Sequence, residues 1–266
     1  MKHGWLVVIV VLAAYLGGCS VPSAPTSPGN VTLTVSAAAN LTSVLEEVGA
    51  AFTEQTGIAV VFNFGASGTL TQQIEKGAPV DVFASANEDF ITQLDAAGLV
   101  IPDTIARYAI GRLTLWTRAD SPLTLTSIED LTQPSITRIA IANPETAPYG
   151  VAAREALQTA GLWETLQPKL IFGENIAQTF QYAETGNVDV AFVALSQGIE
   201  AGDAGNWLLL PDDLHNPLNQ ALAVVRSTQH EAEAHQFAAF VNSPTGREIM
   251  RRYGYILPGE ELVTQQ

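Results

Sequence analysis

Two short turns carry the residues of this chain best suited to chemistry. Ala37-Ala38-Ala39-Asn40-Leu41-Thr42 and Phe64-Gly65-Ala66-Ser67-Gly68-Thr69-Leu70 each close a strand-like run and open a helix-like one. The first N–H groups of a helix have no partner inside it and carry the positive end of its dipole. Two such starts facing one another therefore hold an anion without Lys or Arg. Asn40 adds a side-chain amide and Ser67 a hydroxyl, although each would also serve as an N-cap for its own helix. A fully deprotonated tetrahedral oxyanion only accepts hydrogen bonds, so a shell made of donors favours it.

The middle of the chain offers matching groups. In Asn143-Pro144-Glu145-Thr146-Ala147-Pro148-Tyr149-Gly150 a Pro-rich turn leads into a helix, which puts Tyr149 at the helix start with a hydroxyl able to donate. In Gly173-Glu174-Asn175-Ile176 the N–H of Ile176 would be free at the next helix start. Enzyme chemistry fits poorly. Gly65-Ala66-Ser67-Gly68 departs from a nucleophile elbow at Thr69, and His230 and His235 miss the spacing of a zinc-binding helix. Beyond the leader only His215, His230 and His235 remain as bases for a triad. A cation site would need Asp81, Glu145 and Asp189 to converge, whereas Asp81 and Asp189 each start a strand and should bond locally.

The elements that must position these groups read as an α/β succession. Val31 to Ser36 alternates as a half-buried strand, and Val44, Leu45, Val48, Ala51 and Phe52 recur at helical spacing before Gly57. Ile58 to Phe64 is a second strand, Leu70 to Lys76 a helix, Asp81 to Ser85 a third strand, and residues 87–97 a helix. The succession implies a mostly parallel sheet flanked by helices, with ligand chemistry at the strand-to-helix turns. Further strands are expected at 112–117 and 138–142, short apolar runs lie at 188–194 and 208–210, and helices are expected at about 150–160, 176–185 and 232–252. Residues 112–220 form a second α/β lobe in this reading. Lobe I comprises 31–111 and 221–266, and two hinge crossovers frame a cleft.

Lys2 followed by the apolar run Trp5 to Leu16 reads as a secretory signal over residues 1–18, too short to span a membrane. Leu16-Gly17-Gly18-Cys19 resembles a bacterial lipoprotein processing site, with Cys19 the lipidated residue. Residues 19–30, rich in Pro and Ser, form the tether. Cys19 is the one cysteine, which excludes an intrachain disulfide and a multi-cysteine metal cluster. With 12 Lys and Arg against 27 Asp and Glu, the net charge is -15, which argues against nucleic acid and anionic membrane surfaces as partners.

Taken in order, the Ala-Ala-Ala-Asn-Leu-Thr and Phe-Gly-Ala-Ser-Gly-Thr-Leu turns, Gly77-Ala78-Pro79-Val80-Asp81-Val82-Phe83-Ala84-Ser85-Ala86, Asn143-Pro144-Glu145 and Arg252-Tyr253-Gly254-Tyr255 resemble the periplasmic molybdate-binding family over about Val31 to Leu257. The resemblance implies a two-lobed type II periplasmic-binding fold that closes over molybdate or tungstate and delivers it to the membrane permease subunits of an ABC importer. It implies no enzyme activity and no cofactor besides the ligand. It also implies a monomer, held outside the cytoplasm by its lipid anchor alone. Carried over by position, the ligand residues are Asn40, Ser67, Tyr149 and, through its backbone, Ile176. Some members bind with a Tyr in a later strand. Here that segment is Phe192-Val193-Ala194-Leu195-Ser196, with Ala194 in its place. Sulfate or another oxyanion in the same fold is the alternative.

Overall fold

The computed structural model describes Met1 and residues 31–260; the signal segment, Cys19, the tether up to residue 30 and residues 261–266 lie outside the described residues. The first half of lobe I runs β1 (Thr32–Ala38), α1 (Thr42–Thr56), β2 (Ala59–Gly65), α2 (Ser67–Glu75), β3 (Val82–Ser85), α3 (Asp89–Ala96) and β4 (Ala106–Gly111). Lobe II follows as β5 (Leu113–Arg118), β6 (Ile139–Ala142), α4 (Pro148–Thr159), α5 (Trp163–Leu166), β7 (Leu170–Gly173), α6 (Ile176–Glu184), β8 (Val190–Ala194), α7 (Leu195–Ala201) and β9 (Gly205–Leu209). The chain then returns through β10 (Leu218–Val224), α8 (Glu231–Val241) and α9 (Pro244–Arg252).

Two five-stranded sheets result, ordered β2-β1-β3-β10-β4 and β7-β6-β8-β5-β9. In each, four strands point the same way and one is reversed: β10 is antiparallel to β3 and β4, and β5 to β8 and β9. The reversed strands are the ones that enter each lobe directly from the other. A strand arriving at the cleft end runs away from the cleft, opposite to strands reached through a helix. The sheets are therefore mixed, though mostly parallel in direction. β10 starts at Leu218, so the return to the first sheet comes earlier than the expected residue 221.

Central strands β6 and β8 are apolar and fully buried, as expected for strands covered by helices on both faces. The returning chain is fixed to lobe I by Phe52 on α1. Its ring meets Phe237 at 5.3 Å and Phe240 at 5.4 Å, both edge-on. The expected helix over 232–252 is two helices. Ser243 accepts from the N–H of Gly246 as an N-cap and Pro244 takes the first helical position, which restarts the backbone there. β4 and β7 were not legible as strands, because β4 mixes Arg and Tyr into its run and β7 exposes Ile171 and Phe172.

Asp81 and Asp189 occupy equivalent places, immediately before β3 and β8. Asp81 accepts from the N–H of Thr34 on β1, and Asp189 from the N–H groups of Thr137 and Arg138 just before β6. Burial pushes the Asp189 carboxyl up, but these bonds outweigh it and hold its pKa below the usual range. Both carboxylates thus brace neighbouring strands.

Two segments cross between lobes, around Gly111-Arg112 and between β9 and β10. Arg112 pairs with Asp212 at 2.8 Å, tying the two crossovers together. A third segment joins them, since Ile110 and Ile256 form a two-way backbone bridge.

Candidate functional site

Helices α2, α4 and α6 begin at one place, between the lobes. Their first residues, together with the turn after β1, line a small cavity of about 10 Å³ with Asn40, Ser67, Tyr149, Asn175 and Ile176 among small residues. That is close to the roughly 10–15 Å³ that holds a single water, and far below the roughly 300 Å³ at which pockets for drug-sized ligands begin. No residue of the lining is ionised at neutral pH: Ala38, Ala39, Gly65, Ala66, Ala86, Ala147 and Pro148 complete it.

The capping pattern shows what these helices leave unpaired. α2 and α4 are preceded by Ala66 and Ala147, which have no side-chain acceptor. Alanine is a poor N-cap, and leaving a cap out costs about 1 kcal/mol in an ordinary helix. At α2, the N–H of Gly68 donates to the Thr146 carbonyl across the cleft and that of Leu70 to Ala66, while the N–H groups of Ser67 and Thr69 have no partner among the described residues, and of these two Ser67 lines the cavity. At α4, Pro148 has no N–H, and Gly150 and Val151 both donate to the Ala147 carbonyl, which leaves the N–H of Tyr149. At α6, the Asn175 side chain accepts from Ala177 and Gln178, leaving the N–H of Ile176. Three helix starts therefore each leave one donor at the cavity wall, with three dipoles converging on it.

Ser67 is fully buried and is the first residue of α2, not its N-cap. Its hydroxyl oxygen accepts from the N–H of Ala86 at 3.0 Å. With that lone pair occupied from behind, its proton is available to the cavity. Asn40 also differs from the expected N-cap. It sits in a single 3-10 turn, Ala39–Leu41, before α1, and its Nδ2 donates toward the hinge, to Gln220 Oε1 and the Tyr255 hydroxyl.

Tyr149 requires a correction. Its phenol accepts from Gln220 Nε2 at 3.3 Å and lies where a Cβ on Gly111 would stand, 2.2 Å away. The hydroxyl is therefore held at the crossover, and the group Tyr149 leaves unpaired at the cavity is its backbone N–H. Gly111 must be glycine for the ring to reach this position. Ala194 contributes nothing to the cavity; its N–H donates to Gln197 Oε1 at 3.0 Å.

The enzyme and cation readings find no support here. His215 faces the Asn216 carbonyl at 2.7 Å, and His235 stands 4.0 Å from Glu231 on α8. Among the described residues no three His, Cys, Asp or Glu side chains cluster as a metal site, and no helix is long and apolar enough to cross a membrane. A larger interlobe groove, about 590 Å³, carries Glu184 and Glu200. Burial, together with the charge of Glu200, raises the Glu184 pKa, and such a surface repels an anion. The small cavity is the better oxyanion site.

Sequence reasoning missed Gln220, Tyr108, Tyr255 and Ser196, which stand behind the cavity. The available signal was Gln220 itself, which with Asn219 interrupts the otherwise apolar run Leu218–Val224, where an unpartnered polar group is costly.

Comparison with known proteins agrees with this geometry. Residues 33–256 match the family described as bacterial extracellular solute-binding protein. The molybdate-binding protein ModA of Rhodobacter capsulatus is 39% identical over 87% of this chain and 90% of its own. A putative ABC transporter substrate-binding lipoprotein, YvgL of Bacillus subtilis, is 30% identical over 96% of this chain and 99% of its own. Among solved structures, the periplasmic molybdate-binding protein of Azotobacter vinelandii superposes with a TM-score of 0.82 at 35% identity, covering 85% of this chain and 99% of that one. The chain belongs to the bacterial extracellular solute-binding protein family, in the ModA group of these relatives.

Proposed function

We propose that this protein captures molybdate, and with it tungstate, in the interlobe cavity and delivers it to the membrane subunits of an ABC importer. The observation that carries this reading is the set of donors at the wall: three unpaired helix-start N–H groups and the Ser67 hydroxyl, with no carboxylate and no cation. Ser67, Tyr149 and Ile176 would contact the ligand through their N–H groups, Ser67 also through its hydroxyl, and Asn40 through its side chain. Each such bond is charge-assisted and therefore strong. No proton transfer is involved, and the protein acts as a receptor, not an enzyme. The name of the ion comes from the relatives; the donor shell by itself suits sulfate as well.

Release requires the lobes to part. In the closed form, Gly68 N–H meets the Thr146 carbonyl at 2.8 Å and Ser196 meets the Asn40 carbonyl at 3.2 Å. The cavity is complete within one chain, which supports a monomer. Residues 2–30, outside the described residues, carry most of the address: a signal over 1–18 and lipidation of Cys19, a reading supported by the lipoprotein relative. Mass spectrometry of membrane-extracted protein should find an N-terminal Cys19 carrying acyl chains. An unmodified Cys19, or retention of residues 1–18, would refute the anchor.

Calorimetry of residues 31–266 with molybdate, tungstate, sulfate and phosphate should give tight binding of the first two. Ser67→Ala should weaken molybdate by about 1.5 to 3 kcal/mol, the range for a hydrogen bond to a charged group. Sulfate binding with no molybdate heat would reject the assignment.

A Cβ on Gly68 would stand 2.9 Å from both the Thr146 carbonyl oxygen and the Phe90 ring. Gly68→Ala should therefore hold the cleft ajar, weakening molybdate roughly tenfold or more, a loss of about 1.4 kcal/mol per tenfold. Small-angle scattering should show no ligand-induced contraction. Wild-type affinity in this variant would mean that closure is not needed for binding.

A further inference from the structure

Gln220 is fully buried in β10 and bonds to both residues that line the cavity from the hinge side. Its Oε1 faces Asn40 Nδ2 at 3.1 Å and the Tyr108 hydroxyl at 3.0 Å, and its Nε2 faces the Tyr149 hydroxyl at 3.3 Å. Asn40 Nδ2 also faces the Tyr255 hydroxyl at 2.9 Å. The other prong of the Asn40 amide, Oδ1, is buried with no partner, in a residue only 4% exposed.

Counting protons shows that this arrangement is under-satisfied. Burial raises the pKa of all three phenols, that of Tyr255 to about 12, so each carries one proton at neutral pH. The Tyr108 proton has two claimants, the Ser85 carbonyl at 2.9 Å and Gln220 Oε1. A carbonyl can only accept. When Ser85 takes the proton, the Tyr108 oxygen is left against Gln220 Oε1, acceptor to acceptor. The Tyr149 proton meanwhile has no acceptor among the described residues.

The two ends of an amide are distinguished by their hydrogen bonds. Turning Asn40 and Gln220 together by half a turn removes the conflict at Tyr108 and gives the Tyr149 proton an acceptor, over the same separations. Gln220 Nε2 then donates to the Tyr108 oxygen and to Asn40 Oδ1, and its Oε1 accepts from Tyr149; the Tyr255 proton is shared between Asn40 Oδ1 at 2.9 Å and the Asn40 carbonyl at 2.8 Å, which also accepts from the Ser196 hydroxyl. One group remains without a partner, Asn40 Nδ2, now a donor on the cavity side.

We propose that Gln220 is a positioning residue which, through Tyr108, Tyr149 and Tyr255, fixes the Asn40 amide with Nδ2 toward the bound anion and so excludes oxyanions that retain a proton. This builds on the oxyanion reading of the cavity and adds its selection rule. Phosphate keeps a proton at neutral pH and must donate it to an acceptor. With Asn40 Oδ1 held at the back, the wall offers none. Were Asn40 turned the other way, its Oδ1 would be that acceptor.

Two substitutions separate these states. Gln220→Glu is nearly isosteric and, when ionised, only accepts, which draws Nδ2 of Asn40 backward; Gln220→Met removes the polarity control altogether and serves should the glutamate variant fail to fold. In competition calorimetry, both should bind molybdate roughly tenfold or more weakly, the size of one charge-assisted bond. In both, phosphate should displace molybdate, whereas wild type and Ser67→Ala should resist it. The proposal is overturned when both variants keep wild-type molybdate affinity, or when they lose it without admitting phosphate, as Ser67→Ala should. Wild type that takes sulfate and no molybdate defeats the functional reading alone, and the same competition with sulfate in place of molybdate then decides the role of Gln220.

Discussion

The first N–H groups of an α-helix need a partner, and at α2, α4 and α6 the protein supplies an incomplete set. Two helices are preceded by alanine, and the third has an asparagine cap that reaches only the second and third amides. The unpaired donors are stabilised when an anion arrives, so binding is linked to the local stability of the helix starts. The remaining features follow from bringing three such starts to one point. Strands β2, β6 and β7 deliver α2, α4 and α6 at their carboxyl ends, and the two sheets must face each other for the starts to converge.

Facing sheets demand crossovers, and these carry a second constraint. Gly111 leaves room for the Tyr149 ring to reach from lobe II into the hinge, where Gln220 of lobe I meets it. Ser196 of lobe II meets Tyr255 and the Asn40 carbonyl of lobe I in the same region. A buried polar network of this kind is stable only when its members are satisfied. Closure of the lobes and orientation of the Asn40 amide are therefore coupled, because one set of hydrogen bonds serves both.

Much of this was legible in the sequence where local physics decides. The alternation of Val31 to Ser36, the helical spacing of Val44 to Phe52 and the Gly57 stop gave elements that the structure contains. The turns around Asn40 and Ser67 lie at the cavity. What local physics could not show was direction. Whether Ser67 caps its helix or faces the cavity depends on the N–H of Ala86, from the next strand-to-helix turn. Tyr149 reads as a helix-start residue with a hydroxyl free to donate, whereas its phenol sits in the space beside Gly111, which exists only after the crossovers form. The reversed strands β5 and β10 likewise follow from topology, since a strand carries no sequence mark of its direction.

The central claim is that helix-start amides, and no charged side chain, hold the oxyanion. Backbone ¹H–¹⁵N spectra recorded as molybdate is added to residues 31–266 test it most directly. The account predicts that the N–H resonances of Ser67, Tyr149 and Ile176 move downfield more than any others and saturate together at one equivalent. Static resonances at these three positions, with the main changes at Arg or Lys side chains, would contradict it.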